Sequence, residues 1–287
     1  MTEALQRTGA GFRVTARAKI NLTLEVFGKR PDGYHALRSV ILPISLADTV
    51  EAEPSDGFSS DTGYPDDLCL KAARVLASRA PRGRSPVRLH VTKRIPAGGG
   101  LGGGSADAAA VLLGLNDLWK LRLTRAELAE VGAQVGSDVP ALVLGGPVLM
   151  EGRGERVRPL ACAFRLNLVV VRPDAFSSTK EVYAACVPRV PDETSATDEM
   201  CAALAAGDFG RIVDGLHNDL QEPAVRLHPE VGAALGALRD AGAAGVLMSG
   251  SGSCVFGLVP DEAEATRLAA EMSAGGLTAW AARGNPG

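Results

Sequence analysis

No apolar run in this 287-residue chain approaches the roughly 18 residues that a membrane span needs. The opening stretch, MTEALQRTGAGFRVTARAK, lacks the apolar centre of a secretory signal, so a cytoplasmic protein is expected. The five cysteines (Cys69, Cys162, Cys186, Cys201 and Cys254) are odd in number and include no C-x-x-C pair. That argues against a disulfide framework and against a zinc site. Lysine and arginine total 30 against 33 acidic residues, a net charge of −3, which leaves no electrostatic footprint for nucleic acid. No internal repeat is present. Hydrophobic residues at 46% and charged residues at 22% are globular values that exclude a disordered or fibrous chain. The length suggests one large domain or two modest ones. What the chain has in plenty is glycine, 34 residues, many of them in two places.

Residues 12–27 alternate as a strand, with Ile20, Leu22, Leu24 and Val26 on one face. Residues 28–35 carry turn chemistry in Pro31 and Asp32-Gly33. SVILPIS and DTVEAE predict two further strands, with Pro43 at an edge or a bulge. A polar loop over 54–66 leads to a helix from about 67 to 78, and then to a strand over 87–93. Residues 105–119 predict a helix with Ser105 as its N-cap. Thr124-x-x-Glu127 is a capping box, and 147–160 reads as a hairpin turning at Gly152–Gly154. A buried strand over 166–171 follows, then a second capping box, Ser178-x-x-Glu181. Helical sequence is expected at about 196–206 and 208–217, and over 228–242 with Pro229 in the first turn. Strand, tight turn and strand over 246–259, a helix from Asp261 to near Gly275 and a strand over 277–283 close the chain, with the last three or four residues frayed. Strands and helices mix without a βαβ rhythm, which predicts an α+β protein of two lobes with a seam near residue 160.

The chemistry concentrates in IPAGGGLGGGSADAAA (95–110). Six glycines at 98–100 and 102–104 let main-chain N–H groups approach an anion closely, and a helix N-terminus follows. Together they form a phosphate cradle, in which a side chain at Gly103 is expected to obstruct the phosphate path. No Gly-Lys-Ser/Thr follows, which excludes a Walker A loop. Gly98, Gly100 and Gly103 match G-x-G-x-x-G, yet the acidic residue expected about 20 positions later falls in a helix, at Asn116-Asp117. A flexible surface loop is the remaining alternative for the tract. SGSGS (249–253) reads as a hairpin turn or as a second main-chain wall beside the phosphates. Asp138, in GSDVP, is either an N-cap or a carboxylate that takes a hydroxyl proton. Lys19, in AKINL, is either a solvated edge lysine or the partner of a buried aspartate that also attracts phosphate.

With AKINL, PDGYH, P-x-GGGLGGGSADAAA, GSDVP and SGSGSCVF in this order, the chain resembles the GHMP kinase superfamily. The resemblance is to its branch acting on 4-diphosphocytidyl-2-C-methyl-D-erythritol, and it runs from about Arg17 to Arg283. It implies a two-lobed α+β fold, with a ribosomal-protein-S5-like N-terminal lobe over 1–160 and a ferredoxin-like C-terminal lobe over 161–287. It implies ATP-dependent phosphorylation of the substrate's 2-hydroxyl in the non-mevalonate isoprenoid pathway. By resemblance, Asp138 takes the hydroxyl proton and also binds the substrate, while Lys19 stabilises charge beside it. The ATP phosphates fall to Pro96, Ala97, Gly98, Gly99, Gly100, Leu101, Gly102, Gly103, Gly104, Ser105 and Ala106. Ser105 also meets Mg²⁺, and Lys93 approaches the adenine.

On the same grounds Asn21 binds substrate hydroxyls, and Tyr34 and His35 recognise the cytidine. Tyr183 either stacks on the cytosine or packs as a helix core residue. Asp67 departs from the asparagine that many members carry near the adenine. His90 reads as a packed or edge residue, His228 as helix-entry chemistry, and Asn218-Asp219 as a turn between helices; His217 has no role. The implied partners are ATP and the cytidine diphosphate-linked substrate, with neither nucleic acid nor membrane. The alternatives are another GHMP kinase, of homoserine or mevalonate type, and a non-catalytic nucleotide-binding protein.

Overall fold

The computed structural model describes residues 5–80, 85–162, 165–190 and 195–284, so the expected fraying at 285–287 lies outside the described residues. The chain begins with β1 (Gln6–Thr8), β2 (Gly11–Lys29), β3 (His35–Pro54) and β4 (Ser59–Ser60). Next come α1 (Leu68–Arg79), β5 (Val87–Thr92), α2 (Gly103–Leu118), α3 (Arg125–Gly132) and α4 (Val139–Leu144). The hairpin β6 (Val148–Gly152) and β7 (Arg156–Pro159) precedes β8 (Asn167–Arg172), α5 (Thr179–Ala185), α6 (Ala196–Ala206) and α7 (Phe209–Asp214). Then follow β9 (His217–Asn218), α8 (Gln221–Leu227), α9 (Pro229–Asp240), β10 (Gly245–Met248), β11 (Val255–Val259), α10 (Glu262–Ala274) and β12 (Thr278–Arg283). The result is an α+β arrangement of two sheets. One follows the order β1-β2-β3-β5-β4, with β6 on β3, β7 on β6 and β9 on β2; the other has the order β10-β11-β8-β12. The second sheet is antiparallel throughout.

β2 is not the half-buried strand that its alternation predicts. From Ala18 to Val26 it is buried on both faces, polar residues included. Ile20 and Leu22 join one core, whereas Leu24 and Val26 join a second core with Val169 and Val171 of β8. Its register against β3 shifts between Arg17 and Lys19 and again between Asn21 and Thr23. Such bulges bend a strand and re-aim its side chains, and here they bracket Lys19 and Asn21.

The two strands expected from SVILPIS and DTVEAE are one, β3. On the edge away from β2, β6 pairs with residues 37–41 of β3 and β5 with residues 49–54. Pro43 falls in the gap between them, opposite Lys19. A residue without an N–H is tolerated where neither ladder pairs it on that side; the next residue, Ile44, bridges Gly284.

Helix starts differ in instructive ways. Asp67 caps α1 by accepting from the N–H groups of Cys69 and Leu70, and Thr124 and Glu127 form the full capping box of α3. Ser178 accepts from the Glu181 N–H without the return bond, so only half of the second box exists. Ser105 is not the cap of α2. The helix starts two residues earlier, behind Gly102, whose left-handed φ of 68° makes it an N-cap with no side-chain bond. Ser105 therefore sits inside the first turn, and its hydroxyl bonds to no group among the described residues. The helical stretch expected to reach 217 stops at Asp214, and 217–218 form β9.

The lobes share structure. The core under α2 continues into Leu168, Val170, Phe256 and Leu258 of the second sheet. β9 pairs parallel with Thr23 and Leu24 of β2, and the Asp219 carboxylate accepts from the Val26 N–H at 2.8 Å. Among the described residues no helix is long and apolar enough to cross a membrane.

Candidate active site

The glycine tract turns its main-chain acceptors inward. The carbonyls of Gly98 and Gly99 accept from the N–H groups of Ser253 and Cys254, that of Leu101 from the Lys19 N–H, and that of Gly102 from the Ala106 N–H. The Gly100 carbonyl accepts from Lys19 Nζ at 2.8 Å and from Ser249 Oγ at 3.0 Å. Every acceptor from 98 to 102 is thus turned into the protein. The N–H groups of residues 100–105 donate to no group among the described residues. A run of main-chain donors without a protein partner, along a cavity wall and at a helix N-terminus, is suited to an anion. Positive φ at Gly98, Gly100 and Gly102 (69°, 71° and 68°) produces the alternation. A Cβ on Gly100 would lie 2.0 Å from the Ser249 carbonyl oxygen, and one on Gly102 3.1 Å from Lys19 Cγ. Gly103 is different. Its Cβ would point at Ile95 and Lys93, not into the phosphate path that a side chain there is expected to obstruct.

Two cavities of about 780 and 490 Å³ meet across this tract, sharing Gly98, Gly100, Gly102 and Ser105. In the larger one, Lys19 is 3% exposed, which rules out the solvated-edge alternative. Its ammonium donates to Asn21 Oδ1 at 2.7 Å and stands 3.6 Å from the Asp138 carboxylate. Asn21 Nδ2 donates to Ser39 Oγ, and Ser39 in turn donates to the Thr23 carbonyl, at 2.8 and 2.6 Å. This buried chain fixes the lysine head. Asp138 occupies the N-cap position of α4 but makes no capping bond, so its carboxylate remains free to face Lys19.

The far end of the larger cavity is aromatic. Tyr34 is 55% exposed, with the Arg153 guanidinium 5.5 Å from its ring centre. The Tyr183 and His35 rings lie 5.6 Å apart. His35 Nδ1 is 3.0 Å from the Phe27 carbonyl. A carbonyl can only accept, so Nδ1 carries the proton and, in the neutral ring, Nε2 is left as an acceptor. Burial and the Asp138 charge push the Tyr183 phenol upward, keeping it protonated.

The smaller cavity is lined by Thr62, Tyr64, Asp67, Lys93, Pro96, Ala97 and Asp107, among others. The Lys93 ammonium is already engaged, bonded to the carboxylates of Asp48 and Asp107. Burial alone would lower its pKa, and the two carboxylates outweigh that and raise it. Burial, offset in part by Lys93, pushes the Asp107 carboxyl up to about 7. Asp48, fully buried, also accepts from the Ile95 N–H at 2.8 Å. This chamber therefore has a donor-rich end at the α2 N-terminus and a carboxylate-rich end near Lys93.

The structure brings Lys19, Asn21, Tyr34, His35, Asp138 and Tyr183 to one cavity, and Lys93 and 96–105 to the other. Ala106 is the exception. It is buried, and its N–H is taken by the Gly102 carbonyl, because it already belongs to the second turn's bonding. Sequence reasoning missed Ser39, Asp48, Asp107 and Arg153, none of which carries a local motif for its role. The remaining histidines lie apart: His90 bonds Asp61 at 3.0 Å on the surface, His217 bonds Asp219 at 2.6 Å, and His228 precedes α9.

Residues 67–146 match the family model of the GHMP kinases N terminal domain, and residues 200–276 that of the GHMP kinases C terminal. A 4-diphosphocytidyl-2-C-methyl-D-erythritol kinase of Brevibacillus brevis is 42% identical over 263 residues, covering 89% of this chain and 90% of that one. Its counterpart in Symbiobacterium thermophilum is 40% identical over 283 residues, covering 94% and 98%. The crystal structure of a 4-(cytidine 5'-diphospho)-2C-methyl-D-erythritol kinase superposes with a TM-score of 0.81 at 38% identity, covering 96% of this chain and 100% of the other. A homoserine kinase of Cytophaga hutchinsonii shares the fold, with a TM-score of 0.75 at 18% identity over 97% of this chain and 95% of its own. The chain belongs to the GHMP kinase family, in the branch of the 4-diphosphocytidyl-2-C-methyl-D-erythritol kinases.

Proposed function

We propose that the protein transfers the γ-phosphoryl group of ATP to the 2-hydroxyl of 4-diphosphocytidyl-2-C-methyl-D-erythritol, a step of the non-mevalonate route to isoprenoid precursors. The observation that carries this reading is the junction of the two cavities. Free N–H groups of residues 100–105 line it, and Lys19 and Asp138 stand beside it. Adenosine occupies the smaller chamber, with its phosphates on the glycine tract and the α2 N-terminus. The cytidine occupies the larger chamber between Tyr34 and Tyr183, and His35 Nε2 accepts from the exocyclic amine of cytosine.

Asp138 takes the proton of the 2-hydroxyl as that oxygen bonds to the γ-phosphorus. The bond from γ-phosphorus to the bridging oxygen breaks, and ADP leaves with the electron pair. Lys19 stabilises charge on the attacking oxygen, and Asn21 orients the substrate's hydroxyls. Such a transfer rests on positioning and electrostatics rather than covalent chemistry. Among the described residues no three His, Cys, Asp or Glu side chains converge to hold a metal. The free Ser105 hydroxyl, facing both chambers, suits Mg²⁺ held mainly by phosphate oxygens and water, where the ion would neutralise phosphate charge. The N-terminal domain spans 1–160 and the C-terminal domain 161–287, and the enzyme works in the cytoplasm.

The test is ADP release in a coupled assay comparing the cytidyl substrate with homoserine and mevalonate. Turnover confined to the cytidyl substrate is expected. Equal or preferred turnover of either smaller alcohol would overturn the assignment.

A further inference from the structure

The second wall of the cleft, the turn 249–252 between β10 and β11, follows the same main-chain logic as the glycine tract. A side chain of β9 maintains it. Asn218, 7% exposed in β9, donates through Nδ2 to the carbonyls of Met248 and Gly250, both at 2.8 Å. Its Oδ1 accepts from the Leu220 N–H at 2.9 Å. The Ser249 carbonyl accepts from the Gly252 N–H and that of Ser251 from Ser177 Oγ at 2.6 Å, whereas the Gly252 carbonyl accepts from no group among the described residues. The N–H groups of Gly250 and Ser251 donate to no group among the described residues, and both residues line the larger cavity. The turn abuts the Lys19 head: a Cβ on Gly250 would lie 3.2 Å from Lys19 Nζ. β9 itself is paired to Thr23 and Leu24, just beyond Asn21 on β2.

We propose that Asn218 is a positioning residue for phosphoryl transfer. Its carboxamide holds the Met248 and Gly250 carbonyls, so that this part of the turn presents the N–H groups of Gly250 and Ser251 to the transferring group. This rests on the phosphotransferase reading above. A carbonyl released into the cleft would face an anion whose charge is spread over the equatorial oxygens, and donors aimed at that charge matter most in the transition state.

The experiment compares wild type with Asn218→Asp, which keeps the acceptor for Leu220 and loses the amide donors, and with Ser177→Ala, which frees only the Ser251 carbonyl. Each is measured for kcat, for KM of both substrates, for the thermal midpoint, and for affinity toward ADP alone and ADP with aluminium fluoride. Asn218→Asp is expected to lower kcat by about 10- to 100-fold, with both KM values and ADP affinity nearly unchanged. Affinity for ADP with aluminium fluoride should fall by a similar factor. Ser177→Ala should show the same pattern more weakly, and it carries the test if Asn218→Asp does not fold. A folded variant with wild-type kcat, or a loss shared equally by ADP alone, overturns the inference. Wild-type protein that turns over no acceptor overturns the phosphotransferase reading instead, and the inference with it.

Discussion

The Lys19 ammonium stands 3.6 Å from the Asp138 carboxylate and 2.8 Å from the Gly100 carbonyl. One cation thus joins the acid to the main chain of the glycine tract. The lysine keeps the Gly100 acceptor out of the cleft and lends positive charge to the side where a hydroxyl would attack. Losing the acid and losing the cation should therefore have different consequences.

Asp138→Asn removes the proposed proton acceptor and leaves the shape of the site. The kcat should fall by about 10²- to 10⁴-fold, with ATP affinity by calorimetric titration near that of wild type. Lys19→Met should lower kcat and weaken ATP binding together. If both variants lose only kcat, the cation has no part in shaping the phosphate cradle.

Gly100→Ala places a methyl 2.0 Å from the Ser249 carbonyl oxygen at a φ of 71°. Backbone must move, and a left-handed alanine costs about 1–2 kcal/mol in addition. The KM for ATP should rise at least about tenfold. Gly103→Ala meets the Ile95 side chain at 3.1 Å, so ATP kinetics should change far less. Steady-state kinetics on the two variants side by side test the assignment of the cradle.

Tyr183→Phe keeps the ring against His35 and removes a phenol that stays protonated, so kinetics close to wild type are expected. Tyr34→Ala removes an exposed aromatic face and should raise KM for the cytidyl substrate about tenfold, a loss of roughly 1.4 kcal/mol. KM for ATP should be unchanged in both. A rise confined to ATP would place the aromatic end on the wrong substrate.

Burial, with the neighbouring Asp48 charge and against the opposing pull of Lys93, pushes the Asp107 carboxyl up to about 7 in the folded chain. Its unfolded value lies near 3.8, so the folded state holds the proton more tightly, and this group's contribution to stability falls as pH rises between the two values. Asp107→Asn removes that decline. Denaturant unfolding at pH 5 and pH 8 should show the variant gaining on wild type at the higher pH. A pH-independent difference would place the carboxyl outside the titrating set.

Much of the site was legible because its chemistry is local. Consecutive glycines before a helix, an aspartate ahead of Val-Pro, and a Tyr-His pair at a turn each declare themselves within a few residues. The errors were also local. Ser105 reads as a cap because serine usually is one, yet Gly102 can adopt the left-handed φ and start the helix earlier. SVILPIS and DTVEAE read as two strands and form one; Pro43 lies, as expected, at an edge, in the gap between β5 and β6 along β3.

The sequence by itself determined which main-chain segments can expose donors, since glycine spacing and helix starts are properties of neighbouring residues. It also determined the α+β class through its periodicities. The tertiary structure alone decided which acceptors were removed from the cleft. Lys19 reaches Gly100 across 81 positions, Lys93 meets Asp48 across 45, and Asn218 holds Gly250 across 32. Desolvation is what requires such partners: a buried amide or charge must find its counterpart in space, and no local pattern of residue types records which distant strand will supply it.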